Sequence, residues 1–213
     1  TIIGELQLRI HHCLMAPEGA TIDGLEVVRS HQQALGQCRD WLRAHVPGAT
    51  PEATPDTAGA ARVVAETGAP TTAAVASRRA AERYGLEVLA EGLQDNEQNF
   101  TRFLVLAPAD TDAPPVGAGE PKTSITFVLQ DNVPGALFKS LAVFALRELD
   151  LAKIESRPLV GQPGRYRFYL DVHGDLEDEA VARALDHLRE ITMELQVLGS
   201  YPRGATYPEG ADR

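Results

Sequence analysis

The sequence predicts an α/β part of doubly wound type followed by a smaller α+β part with the strand and helix order βαββαβ, the ferredoxin-like arrangement. Three observations lead there. Between residues 1 and 107, short apolar strand-like runs alternate with segments of helical period. Residues 108–122 are rich in Pro, Gly and Ala and have no periodicity, which marks a linker. Residues 123–203 then contain four strand patterns and two helix patterns in the stated order, ahead of a tail at 204–213.

In the first part, Leu6, Leu8 and Ile10 alternate with Glu5, Gln7 and Arg9, which predicts a half-buried strand with the charged residues outward. His11 and His12 are adjacent, so on a strand they face opposite ways and make a poor metal pair. A strand follows at 25–29, and Ser30 is placed as N-cap of a helix over 32–45 with Ala34, Leu35, Cys38, Trp41, Leu42 and His45 at helical spacing. Residues 47–55 read as a loop. A second helix is expected at 57–67, closed by Gly68, and a buried strand at 72–76. Ser77 caps a third helix running to Tyr84, and Gly85 stops it. Strands at 86–90 and 101–107 complete a mostly parallel sheet, in which ligands bind beyond the carboxyl ends of strands.

In the second part, Ile125, Phe127 and Leu129 alternate in a strand. Asp131 or Asn132 is expected to cap a helix whose stripe is Leu137, Leu141, Phe144, Ala145 and Leu149. Strands at 151–158 and 166–173, a helix at 178–195 and a strand at 196–200 follow.

The chain has 213 residues and a formal net charge of −10, which opposes nucleic acid or an anionic membrane as partner. No apolar run approaches the roughly 20 residues that span a bilayer. Cys13 and Cys38 form neither a CxxC pair nor a metal spacing, and a reducing cytoplasm is the expected compartment. No GxGxxG or Walker pattern is present, so a nucleotide site is not expected.

The most informative stretch is Gln94 to Leu106, where a polar loop runs into an apolar strand and Thr101, Arg102 and Phe103 stand at the junction. Asp95, Asn99, Thr101, Arg102 and Phe103 form Asp-x-x-x-Asn-x-Thr-Arg-Phe, which resembles the signature of prephenate dehydratases. The run from Ser30 to Cys38, the stretch 56–61 and the stretch 73–86 are similar to three further blocks of that family in order. Pro134-Gly135-Ala136-Leu137 and Glu155-Ser156-Arg157-Pro158 resemble two motifs of its ACT regulatory domain.

The resemblance implies a partial catalytic domain at 1–107, of which a periplasmic-binding-protein-like lobe is the main part, and an ACT domain at 123–203. The family's Gly-Pro-x-Gly and Glu-Asn-Ser motifs are absent from this sequence, so the chain is expected to start inside the catalytic domain. The implied reaction is the decarboxylating dehydration of prephenate to phenylpyruvate, with Thr101 as catalytic hydrogen-bond donor to the departing hydroxyl. Arg102, Phe103, Asn99, Ser30 and His31 are the implied substrate-binding residues. Arg102 either neutralises a substrate carboxylate or fixes the Thr101 loop through Asp95. Asn132, Gly135, Ala136, Leu137, Glu155 and Ser156 are the implied phenylalanine-binding residues. No metal or organic cofactor is implied, and a homodimer or homotetramer is. Two other readings stand beside this one: a shortened, non-catalytic phenylalanine sensor, and an enzyme acting on arogenate.

Overall fold

The computed structural model describes residues 1–109, 113–131 and 133–207. The chain divides into two compact units, one of Leu8–Thr101 with Tyr207 and the other of Thr1–Gln7 with Arg102–Thr206. The composition of 108–122 suggested a division there, whereas the contacts divide the chain at Thr101 and Arg102. Strands β1 (Ile2–Arg9) and β7 (Phe100–Leu106) carry the chain from one unit into the other.

The unit Leu8–Thr101 is built on β2 (Cys13–Ala16), β3 (Val27–His31), β4 (Thr50–Thr54), β5 (Thr72–Ala76) and β6 (Glu87–Glu91). Their order is β4-β3-β5-β2-β6. Strand β3 pairs in parallel with β4 and β5, while β2 runs antiparallel to both β5 and β6, so the sheet is mixed. Its helices are α1 (Gln32–Gln37), α2 (Arg39–His45), α3 (Thr57–Thr67) and α4 (Arg78–Tyr84). All five residues of β5 are buried, and their alternation separates two cores. Ala74 and Ala76 join Cys13 and Met15 against Ala60, Ala61 and Val64 of α3 and Ala80 and Ala81 of α4. Ala73 and Val75 join Leu14 and Ala16 against Val28, Cys38 and Val46 on the other face. Small side chains let helix and sheet approach closely, and each buried Val adds roughly 1.5–3 kcal/mol.

Three local expectations change in this unit. The helix expected over 32–45 is broken at Cys38, whose φ of −115° and ψ of 15° are not helical. The break is held by Asp95, whose carboxylate accepts from the backbone N–H groups of Asp40 and Trp41 at 3.2 Å each. Residues 47–55 contain a strand, β4, which carries Pro51 because an edge position demands no ladder donor there. His31, not Ser30, is the N-cap of α1, with Nδ1 accepting from Gln33 N at 3.3 Å.

The second unit contains β8 (Pro121–Leu129), α5 (Ala136–Ala145), β9 (Leu151–Pro158), β10 (Tyr166–His173), α6 (Glu179–Ile191), β11 (Thr192–Pro202) and Thr206 of a short β12 (Thr206–Tyr207) that ends the described chain. The sheet order β11-β8-β10-β9 is antiparallel throughout. Ile125, Phe127, Phe168, Leu170 and Val172 face α5 and α6, where Val143, Phe144, Val181, Ala184, Leu185 and Leu188 close the core. Helix α5 starts at Ala136 with Gly135 as N-cap at φ 84°, so Asp131 does not cap it; Asn132 lies outside the described residues. Helix α6 ends at Ile191 and β11 begins at the next residue, four positions ahead of the expected strand. Strand β1 departs from simple alternation: Glu5 is buried at 5% exposure while Leu6 is only half-buried. Its backbone runs so near β11 that a Cβ on Gly199 would collide with the carbonyl oxygen of Ile2.

Candidate active site

The loop leading to Thr101 is tied down along its length. Leu93 N donates to His12 O at 3.1 Å, Asp95 N to Gln37 O at 2.7 Å, and Ile10 N to Asn99 O at 2.8 Å. Arg9 Nη2 donates to Glu97 O at 3.0 Å. Side chains add a second set of bonds. His12 Nε2 lies 2.9 Å from Gln37 Oε1, and Gln37 Nε2 donates to Asn99 Oδ1 at 3.4 Å. Gln94 Oε1 accepts from His12 N at 3.0 Å, and its Nε2 lies 3.2 Å from His11 Nδ1. Asn99 Nδ2 is buried with no hydrogen-bond partner among the described residues. The loop therefore delivers an exposed Thr101 from a fixed frame. Sequence reasoning assigned no role to Gln37, His12 or Gln94, because nothing local in the sequence marks partners so far apart along the chain.

The structure brings Asn99 to Gln37 but sends Ser30 elsewhere. Ser30 is fully buried and its Oγ donates to Val75 O at 2.6 Å, so its hydroxyl proton is directed into the sheet. His31 is exposed at the end of β3. Cys38 is fully buried, and burial together with the nearby charge of Asp95 pushes its thiol up to about 12, which leaves it inert as a nucleophile.

Arg102 opens the second unit and its guanidinium is engaged on three sides. Nε lies 2.5 Å from Glu5 Oε2, Nη1 lies 2.5 Å from Asp171 Oδ2, and Nη2 donates to Tyr201 OH at 2.6 Å. Asp95 is not among these partners, which removes the expected link from Arg102 to the loop through that residue. Glu5 also receives Lys122 Nζ at 2.6 Å and Gly204 N at 3.2 Å. Burial alone would raise the Glu5 carboxyl, but Lys122, Gly204 and Arg102 together hold it below its ordinary value. Burial also raises the Tyr201 phenol, against the opposing pull of Ser124 and Arg102. Phe103, next on the strand, is 48% exposed.

The stretch expected to hold an effector lies at the start of α5. Gly135 is exposed with open space where a Cβ would stand, and Ala136 and Leu137 are half-buried. Glu155 and Ser156 lie on β9, an edge strand of the four-stranded sheet. The Glu155 carboxylate is flanked by Lys153 at 2.9 Å and Arg157 at 2.6 Å, which lower its pKa. Among the described residues no three His, Cys, Asp or Glu side chains gather as a metal site, and no helix is long and apolar enough to cross a membrane.

Comparison with known proteins adds the family. A sequence model described as prephenate dehydratase matches residues 1–111. Arogenate dehydratase/prephenate dehydratase 2, chloroplastic, of Arabidopsis thaliana is 46% identical over 217 residues, covering 96% of this chain and 55% of that protein. The chain thus spans about half the length of the curated relatives it matches. The crystal structure of prephenate dehydratase from Arthrobacter aurescens in complex with L-Phe aligns with a TM-score of 0.83 at 38% identity, over 95% of this chain and 66% of that one. A solved structure described as GqqA, a novel type of quorum quenching acylase, aligns with a TM-score of 0.80 at 35% identity, over 95% of this chain and 72% of that one. The cytoplasmic expectation is overturned by the Arabidopsis relative, which is described as chloroplastic. A low cysteine count speaks for a reducing environment, and a reducing environment is not confined to the cytosol. By the match over residues 1–111, the chain belongs to the prephenate dehydratase family.

Proposed function

We propose that this chain carries the Thr101 side of a carbon–oxygen lyase active site that converts prephenate to phenylpyruvate, and a phenylalanine-responsive ACT domain. In this reading residues 1–107 belong to the catalytic domain, with a periplasmic-binding-protein-like lobe, and residues 123–203 form the ACT domain. The observation that carries it is the exposed Thr101 hydroxyl delivered by the His12–Gln37–Asn99 frame. Prephenate loses carbon dioxide from its ring carboxylate as the ring C–O bond breaks, and the electron pair of the lost carboxylate completes the aromatic ring. The departing hydroxide takes a proton and leaves as water. A threonine hydroxyl is too weak an acid to ionise near neutral pH, so Thr101 acts as hydrogen-bond donor and proton conduit to that oxygen. Asn99, His31 and Phe103 shape the site around it, and the loop holds the reacting groups in place. Arg102 is committed to carboxylates of its own chain, so we assign it to positioning and not to substrate.

The Arthrobacter structure with L-Phe supports phenylalanine as effector. In our reading it binds between two copies of the ACT domain, at Gly135, Ala136 and Leu137 with Glu155 and Ser156, in a homodimer or homotetramer. The N–H groups at the start of α5 and the bare Gly135 suit a carboxylate there. Arogenate is the second substrate reading, and the names of the Arabidopsis and Petunia relatives favour it. Turnover of purified enzyme on prephenate and on arogenate, followed as phenylpyruvate and phenylalanine, separates the two. In a catalytically complete protein, Thr101→Ala lowers turnover by about 10²–10⁴ while phenylalanine still binds. Near-normal turnover removes Thr101 from the reaction.

A further inference from the structure

The four-stranded sheet of the second unit has one face covered by α5 and α6, and on its other face lies a cluster of charges that the reaction does not use. Lys122 and Ser124 of β8, Asp171 of β10 and Tyr201 of β11 all point to the face opposite the apolar core residues Ile125, Phe127 and Leu170. Register places them side by side, with Asp171 opposite Ser124 and Tyr201 opposite Lys122. Above them lie Glu5 of β1 and Arg102 of β7. Lys122, Asp171, Ser124, Tyr201 and Glu5 are each at most 5% exposed. The two cations and two carboxylates cancel, so the cluster is neutral as a set. Ser124 Oγ donates to Asp171 Oδ1 at 2.5 Å and lies 2.6 Å from Tyr201 OH, which closes the ring of bonds around the guanidinium.

We propose that Glu5, Asp171 and Tyr201 are positioning residues for Thr101, acting through Arg102. The inference rests on the reading of Thr101 as the reacting hydroxyl. Arg102 is the residue after Thr101, and successive Cα atoms are about 3.8 Å apart, so a guanidinium clamped on three sides fixes the strand at the point where Thr101 emerges. A planar guanidinium suits this arrangement because each of its three nitrogens donates in a fixed direction to a different partner, whereas a lysine offers its donors from a single nitrogen. The cluster ties the backbone at Arg102, the residue after Thr101, to β8, β10 and β11.

The test uses the protein labelled with ¹³C at threonine methyl groups, with the Thr101 signal identified by its loss in Thr101→Ser. Tyr201→Phe removes a single hydroxyl and keeps the fold, and Asp171→Asn removes one charge. Both are expected to shift or broaden the Thr101 methyl signal. Asp186→Asn, which breaks the exposed Arg189–Asp186 pair on α6, leaves it unmoved. Activity gives the second readout. Tyr201→Phe is expected to lower kcat on the order of ten- to a hundred-fold with KM within about twofold, as a misplaced group does. An unmoved Thr101 signal in both Tyr201→Phe and a folded Asp171→Asn overturns the proposal. If the unaltered protein turns over neither prephenate nor arogenate, the functional reading fails, while the methyl signals still decide whether the cluster positions Thr101.

Discussion

His12 Nε2 lies 2.9 Å from Gln37 Oε1, and through this bond β2's entry and the end of α1 are joined next to the loop that carries Asn99. The pair sits partly out of water, with His12 only 6% exposed. A hydrogen bond of this kind is worth little in net terms while both partners are present, and costs much more when one is left alone.

His12→Leu should therefore destabilise the protein by about 1 kcal/mol or somewhat more, the cost of leaving the half-buried Gln37 Oε1 without its partner. The loss is local before it is global. Amide exchange at residues 94–99 should accelerate in the variant under native conditions, since the loop loses a support on one side. Exchange there at the unaltered rate would mean that the backbone bonds to His12 and Gln37 hold the loop alone.

Acid stability provides a test of the Glu5 cluster. Glu5 has its folded pKa held below the unfolded value of about 4.3. Below that value the unfolded chain binds a proton that the folded one refuses. The stabilisation is thus fully present above about pH 4.3 and is lost as the pH falls toward the folded pKa. Glu5→Gln removes this contribution and strands Lys122, so the variant should have a lower Tm near pH 7 and a flatter fall of Tm between about pH 5 and 3. Parallel curves for the two proteins would show that the fold does not draw on the ionised Glu5.

How far these features were legible in the sequence depended on whether their causes were local. Helix α3 was legible at its end, where Gly68 stands in the left-handed C-cap at φ 64°. Strand β5 followed from its short apolar run, and β9 and β10 from strand-like stretches on either side of Gly161, Pro163 and Gly164. The break at Cys38 did not, because Asp95, far along the chain, supplies the cap that ends one helix and starts the next. Glu5 read as a solvent-facing charge because its neutralising partners Lys122 and Arg102 come from other strands. The same holds at the candidate site. The Thr101–Phe103 stretch stands out as residues in a row, whereas the His12–Gln37–Asn99 frame and the Arg102 clamp exist only once distant strands are paired. Ser30 was misplaced as a cap for a related reason: a serine before a helix reads as a cap, but here the strand runs on to His31 and turns the Ser30 hydroxyl to Val75.

Gly135 offers the last test. Its φ of 84° lies in the left-handed region, and a side chain there costs about 1–2 kcal/mol for an ordinary residue and more for a β-branched one. No atom lies within 4 Å of the position a Cβ would take, so the cost is one of backbone conformation and not of collision inside the unit. Gly135→Val should pull the N–H groups at the start of α5 out of line and project a branched side chain where an effector carboxylate would approach. Phenylalanine affinity measured by calorimetry should fall at least tenfold, while turnover in the absence of phenylalanine stays within about twofold. Gly135→Asn tolerates the left-handed conformation better and should fall between the two. Unchanged phenylalanine affinity in Gly135→Val would place the effector away from α5.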